Sequence, residues 1–343
     1  MFGGMPEQPR RVTAADVASR AGCSTAAVSL YLNGKAEGRL TEAWRQRIAA
    51  AIDELGYVPN RAARHLSTGS SRTVVLFFPG ARFSFFGDVV DEVTAALGDN
   101  WEVQLVDNRP AESAAPRAPL DRALALAPAA FIVVGASRGV LAELERTGVP
   151  TVVLDVDDLP GTFSIVPIDY VQALRGLAER MRDAGMLTVG YLAFEHGTAS
   201  LVQRRPRVAA ALAEQGVRML DDADDLGVPG PDRDAVAEAF VAQWPRWSEL
   251  GVQAVVCGDE RLAYGVLKGA RELGLRIPED LGLAAFDDLP PASLLQPSLS
   301  SIRLDGHELG AAAGRAVVEH LRTRRPSVQG MATTWVPRES TAR

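Results

Sequence analysis

Two hydrophobic rhythms divide the chain. Over residues 12–57 the apolar positions recur at helical spacing, the period of helices buried on one side. Thr13 followed by Asp16 has the form of a capping box, and "DVASRA" continues as helix until Gly22 breaks it. Ser24 can cap a second helix over 25–32. Thr41 can cap a third that runs to Leu55, with Trp44, Ile48, Ala51, Ile52 and Leu55 on one stripe. "GYVPN" ends it, because the residue before Pro59 is pushed out of helical backbone. "RAARHLSTGSSR" is short, basic and closes in Ser, Thr and Gly, which predicts a flexible connection. From Thr73 the rhythm changes. "TVVLFFP", "EVQLVD", "AAFIVVGA", "PTVVLD", "TVGYLA", "AVVCG" and "LGLAAF" are short unbroken apolar runs, separated by helical patterns such as 85–97, 170–184, 204–215 and 260–273. Strands that are apolar throughout are covered on both faces, and helices between them imply parallel sheets. The stretch 73–343 exceeds one modest sheet, so two α/β lobes are expected, with "NRPAESAAPRAP" as a surface connection.

Composition narrows the classes. A chain of 343 residues, 47% hydrophobic, has room for more than one core. No apolar run is long enough to span a bilayer, and "MFGGMPEQPRR" lacks the apolar stretch of a secretory signal, so a cytoplasmic protein without membrane contact is expected. Cys23 and Cys257 lie far apart with no metal-ligand spacing and read as free thiols. The net charge of −7 alone opposes nucleic-acid binding. Its distribution argues otherwise: residues 1–72 carry ten Arg or Lys against six Asp or Glu, and the remainder 26 against 37. A basic head on an acidic body fits a DNA-binding module joined to a soluble domain. His65, His196, His307 and His320 are scattered, and neither a nucleophile motif nor a phosphate-cradling Gly-rich loop appears, so no enzyme, cofactor or metal is expected. A secreted sugar-binding protein would suit the body, but the head and the missing signal oppose it.

On a helical wheel the second helix splits. Ala27, Val28, Tyr31 and Leu32 share one side and can pack on Val17, Ala18 and Ala21. Thr25, Ala26, Ser29 and Leu30 share the other. "VTAADVASRAGCSTAAVSLYLNG" followed by "YVPNRAARHL" resembles the DNA-binding head of the LacI/GalR family of bacterial regulators. "GVPTVVLD", "DERLAYG", "LRIPEDLGLAAFDD", "PSLSSIRLDGHELG" and "VPRES" resemble that family's core, which has the fold of periplasmic sugar-binding proteins. The resemblance implies an all-α helix-turn-helix head with a hinge helix, and an α/β core of two doubly wound lobes of the type I periplasmic-binding-protein kind. The divisions that follow are a disordered tail over 1–11, the head over 12–59, hinge and linker over 60–72, and the core over 73–343. Within the core, one lobe takes 73–166 plus 303–325 and the other 167–302 plus 326–340.

The resemblance further implies a homodimer on double-stranded, near-palindromic operator DNA, with the second helix of each head in the major groove. Ser24, Thr25, Ala26, Ser29, Leu30 and Asn33 fall on groove-facing positions, and Thr13, Tyr57 and Asn60 on backbone-contacting ones. Residues 60–67 match the hinge helix, where Arg61, Ala63 and Arg64 join the DNA contacts and Leu66 matches a minor-groove wedge. A dimer-packing role for Leu66 is equally open. Arg39 is expected to neutralise phosphate with Arg61 and Arg64. No heptad tail follows Arg343, so a dimer is expected. In the core, Asp155, Arg204, Asp259 and Asp287 carry over as contacts to a small effector between the lobes, with Phe86 or Phe85 as an apolar wall. The three acids follow strands, where ligands sit in open α/β sheets. Carboxylates and a guanidinium suit a polyhydroxylated ligand such as a sugar. The alternative for each acid is a helix cap or a surface ion pair, and Asp158, Asp221, Asp222, Asp224 and Asp225 read as solvated loop charge. The chain departs from the family in having Asp259-Glu260 for Asn-Asp, Arg207 for Gly and "GMLT" at 185–188 for Gly-His-Arg-Arg.

Overall fold

The head folds where its caps say it should. In this computed structural model, which describes residues 12–32, 34–57, 71–78, 84–108, 118–157, 159, 161–196 and 198–343, helix α1 spans Ala14–Ala21. The Thr13 hydroxyl accepts the Asp16 N–H at 3.3 Å while the Asp16 carboxylate accepts the Thr13 N–H at 2.8 Å, completing the capping box. Gly22 closes α1 in left-handed backbone, φ 73°. Helix α2, Thr25–Leu32, opens where Ser24 Oγ accepts the Ala27 N–H at 3.2 Å. Helix α3, Glu42–Leu55, opens on the Thr41 hydroxyl. Val17, Ala18, Ala21, Val28, Ile48, Ala51 and Tyr57 form the core between them. The head lies within 1–70, and residues 71–343 form a separate unit.

Among its described residues that second unit contains two large sheets and a two-stranded one. Strands β1 (Thr73–Phe78), β2 (Glu102–Asp107), β3 (Ala130–Val134), β4 (Thr151–Leu154) and β5 (Ser164–Val166) form a parallel sheet in the order β2-β1-β3-β4-β5. Helices α4 (Ser84–Leu97), α5 (Ala118–Ala125) and α6 (Arg138–Thr147) accompany it. All six residues of β1 are buried: Val74, Leu76 and Phe78 enter one core and Val75 and Phe77 another. The unbroken apolar run therefore serves both faces of the sheet, as expected of a parallel strand.

The second lobe runs α7 (Val171–Asp183), β7 (Thr188–Phe194), α8 (Ala199–Glu214), β8 (Arg218–Met219), β9 (Leu226–Val228), α9 (Arg233–Glu249), β10 (Ala254–Cys257), α10 (Glu260–Glu272), β11 (Gly282–Asp287) and β12 (Ser300–Arg303). With β14 (Thr334–Val336) its sheet has the order β14-β12-β11-β10-β7-β8, and β9 lies beside β7. It is parallel except for β12 against β14. The chain returns to the first lobe as α11 (Gly306–Thr323), which packs on α4 so closely that a Cβ at Gly310 would stand 2.8 Å from Val89 Cα. Short strands β6 (Ile168–Asp169) and β13 (Met331–Ala332) pair beside each other where the chain passes between lobes. Among the described residues no helix is long and apolar enough to cross a membrane.

One helix differs from the sequence reading. The pattern begins at 204, but α8 begins at Ala199, with the Thr198 hydroxyl accepting the Leu201 N–H at 3.4 Å. Pro206 fits a first turn best, which places the start late in the sequence; the Thr198 cap overrides that preference and leaves Pro206 inside the helix.

Candidate functional site

The outward face of α2 holds small side chains. Thr25, Ala26 and Ser29 are exposed and Leu30 is half-buried, while Val28 is fully buried and Ala27, Tyr31 and Leu32 pack against the head core. Ser24 and Arg39 are exposed as well. The Thr13 hydroxyl is engaged in the α1 cap, donating to Asp16 Oδ2 at 2.7 Å. Tyr57, expected at the DNA backbone, has its ring in the head core at 9% exposure. Asn33, Asn60, Arg61, Ala63, Arg64 and Leu66 lie outside the described residues. What the face offers is hydroxyls and methyl groups on a helix whose backbone can approach a groove closely.

In the core, strand ends bring acids to one place. Asp155 follows β4 and Asp287 ends β11, and both hold left-handed backbone, φ 56° and 97°. Non-glycine residues seldom adopt this conformation, and it concentrates at functional sites. Arg204 lies inside α8 rather than at its opening, and is buried. It pairs with Asp287 Oδ1 at 3.0 Å, donates to the Gly258 carbonyl at 2.8 Å and lies over the Phe286 ring at 4.7 Å. Asp155 accepts from the Tyr170 hydroxyl at 3.1 Å. Burial pushes the Asp155 carboxyl up to about 6 against the pull of Arg204, the Tyr170 hydrogen bond and Arg207. Burial raises Asp287 in the same way, opposed by Arg204.

Asp259 joins this cluster with its oxygens already engaged. It caps α10 by accepting the Arg261 N–H at 2.9 Å, and takes the Arg261 guanidinium at 2.8 and 2.7 Å. The cap alternative therefore holds for Asp259 within a buried setting. Phe86 is a core residue packed against Phe78 in a tilted arrangement, centroids 4.6 Å apart. Glu260 is fully buried, accepting from the Tyr264 hydroxyl and from the Leu289 N–H at 2.7 Å, and burial pushes its carboxyl up to about 7. Two buried polar atoms, Arg204 Nε and Tyr191 Oη, have no hydrogen-bond partner among the described residues. They flank Gly258, where a Cβ would stand 2.6 Å from Tyr191 Oη.

Several participants escape the sequence. Tyr170, Asp157 and Tyr191 belong to no motif, Arg261 lies in the quoted "DERLAYG" without being singled out, and Arg207 shows only as a departure from the family. Asp224 and Asp225 are not solvated loop charge: Asp225 pairs with Arg205 at 17% exposure, and Asp224 accepts from Arg246 at 3.1 Å.

Comparison with known proteins agrees with this geometry. Residues 13–60 match the family described as bacterial regulatory proteins, lacI family, and residues 178–341 match the periplasmic binding protein-like domain. The chain is 29% identical over 297 residues to the HTH-type transcriptional regulator GalS of Salmonella typhimurium strain LT2, covering 85% of each. It superposes on the lac repressor dimer bound to operator and the anti-inducer ONPF with a TM-score of 0.77 and 21% identity, covering 97% of this chain and 99% of that one. It superposes on the transcriptional regulator CelR in complex with cellobiose with a TM-score of 0.68 and 24% identity, over 96% and 100%.

Proposed function

Because the chain belongs to the lacI family of bacterial regulatory proteins, we propose that it is a cytoplasmic repressor that binds a near-palindromic operator as a homodimer and answers to a small polyhydroxylated ligand, a sugar or a derivative. The observation that carries the DNA-binding part is the split of α2. Val28 anchors it in the head core while Thr25, Ala26 and Ser29 stand exposed on the opposite side. In this reading Ser24, Thr25, Ala26, Ser29 and Leu30 face the major groove, and Arg39 serves the phosphates. Gel retardation with genomic fragments, using the whole chain and a chain lacking 1–70, tests it. Retention by the whole chain alone is expected, and equal retention by both defeats the assignment to the head.

The ligand part rests on Asp155, Arg204 and Asp287 converging at strand ends with two unpartnered buried polar atoms beside them. The cellobiose complex of CelR supports a sugar. Replacing Arg204 or Asp287 by Ala is expected to abolish the ligand's influence on DNA binding while leaving ligand-free operator affinity near normal. The coupling is reciprocal, so operator shifts ligand affinity by the same factor. A second reading, a regulator with no small ligand, is favoured by the engagement of Asp259 with Arg261 and of Asp287 with Arg204. Calorimetry that finds no heat with any sugar or sugar phosphate would select it.

For the homodimer, the second lobe offers an apolar surface. Leu294 is 82% exposed, and with Tyr264, Leu267, Pro291 and Leu295 it lines a recess of about 740 Å³ that is rimmed by Arg233, Lys268 and Arg271.

A further inference from the structure

Two contacts join the lobes beside the acid cluster, and both use Tyr170. The first is the Tyr170 hydroxyl on Asp155, which follows β4 of the first lobe. The second is an ion pair between Arg207, on α8 of the second lobe, and Asp157, in the loop after β4. The Arg207 guanidinium lies over the Tyr170 ring at 5.2 Å and also donates to Gln203 Oε1 at 3.1 Å. Tyr170 is itself 4% exposed and meets the Phe286 ring edge-on at 6.0 Å. Arg207 is thus held on an aromatic platform, steadied one turn back on its own helix, and presented to a carboxylate across the lobes.

An exposed ion pair on mobile side chains contributes little. This one differs because, although the Asp157 side chain is 52% exposed, the Arg207 side chain is only 24% exposed and is held by Tyr170 and Gln203, so less side-chain freedom is lost on pairing. The charges also match lobe against lobe: Asp155 and Asp157 come from the first, Arg204 and Arg207 from the second. Asp157, Tyr170 and Arg207 wall a recess of about 770 Å³ that also takes Glu308 from the first lobe and Leu174 and Ala210 from the second. Any change in the angle between lobes therefore alters this recess and both contacts together.

We propose that Arg207, Asp157 and Tyr170 are a clasp that holds the two lobes together, and that Arg207 is the positioning residue of the cleft. This rests on reading the core as ligand-responsive and specifies the regulation of that same site. The resting relation of the lobes is set by the chain's own ion pair, and a ligand acts on a cleft that is already held.

The test is a distance between lobes in the full-length protein without ligand or DNA. Nitroxide labels are placed at Arg138→Cys and Glu249→Cys, exposed positions on α6 and α9, in a Cys23→Ser background. The labelled protein is diluted into excess unlabelled protein, so that only pairs within one chain are read by double electron–electron resonance. Arg207→Glu and Asp157→Arg are each expected to shift the distances longer and broaden them. The double variant that swaps the charges is expected to return the wild-type distribution. Arg207→Ala, a milder change, keeps the measurement readable should a reversal fail to fold, and is expected to broaden the distances as well. A wild-type distribution in Arg207→Ala, or a swap that restores nothing, would overturn the clasp. Wild-type protein that retains no DNA would defeat the regulator reading instead, and the distances still decide the clasp.

Discussion

Asp155 shows how one residue can weigh site against stability. Its carboxyl is raised from an ordinary 3.8 to about 6, a displacement on the order of 3 kcal/mol against the folded state once the group is charged. The penalty is absent below about pH 4 and complete above about pH 6, so this group makes the protein less stable as pH rises through that window. Glu260, raised from 4.5 to about 7, acts in the same direction slightly higher. The wild-type melting temperature is therefore expected to fall between pH 5 and pH 7 by calorimetry, Asp155→Asn to flatten part of that fall, and Asp155→Asn with Glu260→Gln to flatten more of it. Equal slopes in all three proteins would contradict the account. Asp155, Asp259 and Asp287 were singled out by the resemblance to the family, and the apolar run before each places it at a strand end, as the structure has it. Arg207 and Asp157 were not, because they stand 50 residues apart and only the packing of α8 beside the first lobe makes them partners.

At the scale of elements, the proposed groove-facing side of α2 offers little to read DNA by. Thr and Ser hydroxyls and the Ala and Leu methyls can contact base edges, but the described face has no Arg, Gln or Asn for a two-point contact, each worth about 1–3 kcal/mol of discrimination. Leu30→Arg is expected to tighten binding generally and to shift preference toward guanine at one symmetric position of selected sites; Ala26→Gly is expected to change selection little. Site selection on both variants checks this, and an unaltered preference in Leu30→Arg would show that Leu30 does not face the groove. The three head helices were legible because Thr13, Ser24 and Thr41 are caps with their partners at fixed offsets. Strands β6, β8 and β13 were not, since two residues carry no periodicity. The start of α8 was obscured by Pro206, whose usual place is a first turn.

The whole molecule joins a basic head to an acidic core, and the proposed homodimer rests on what the core leaves exposed. Leu294→Glu is expected to weaken the proposed dimer by roughly 2 kcal/mol or more, about thirtyfold, because it sets a charge where an apolar anchor would be buried. Sedimentation velocity checks this, and an unchanged dimer would place the interface elsewhere. The two-lobed architecture was legible from the alternation of apolar runs and helices, whereas the pairing of β6 with β13 between lobes depends on residues 163 apart and left no local mark. The central claim, binding of DNA by the basic head of a regulator, is tested most directly by the salt dependence of binding to a retained genomic fragment. Affinity is expected to fall steeply as salt rises, with a log-log slope of about several units for a dimer whose arginines displace counterions from both half-sites; a slope near zero would contradict it.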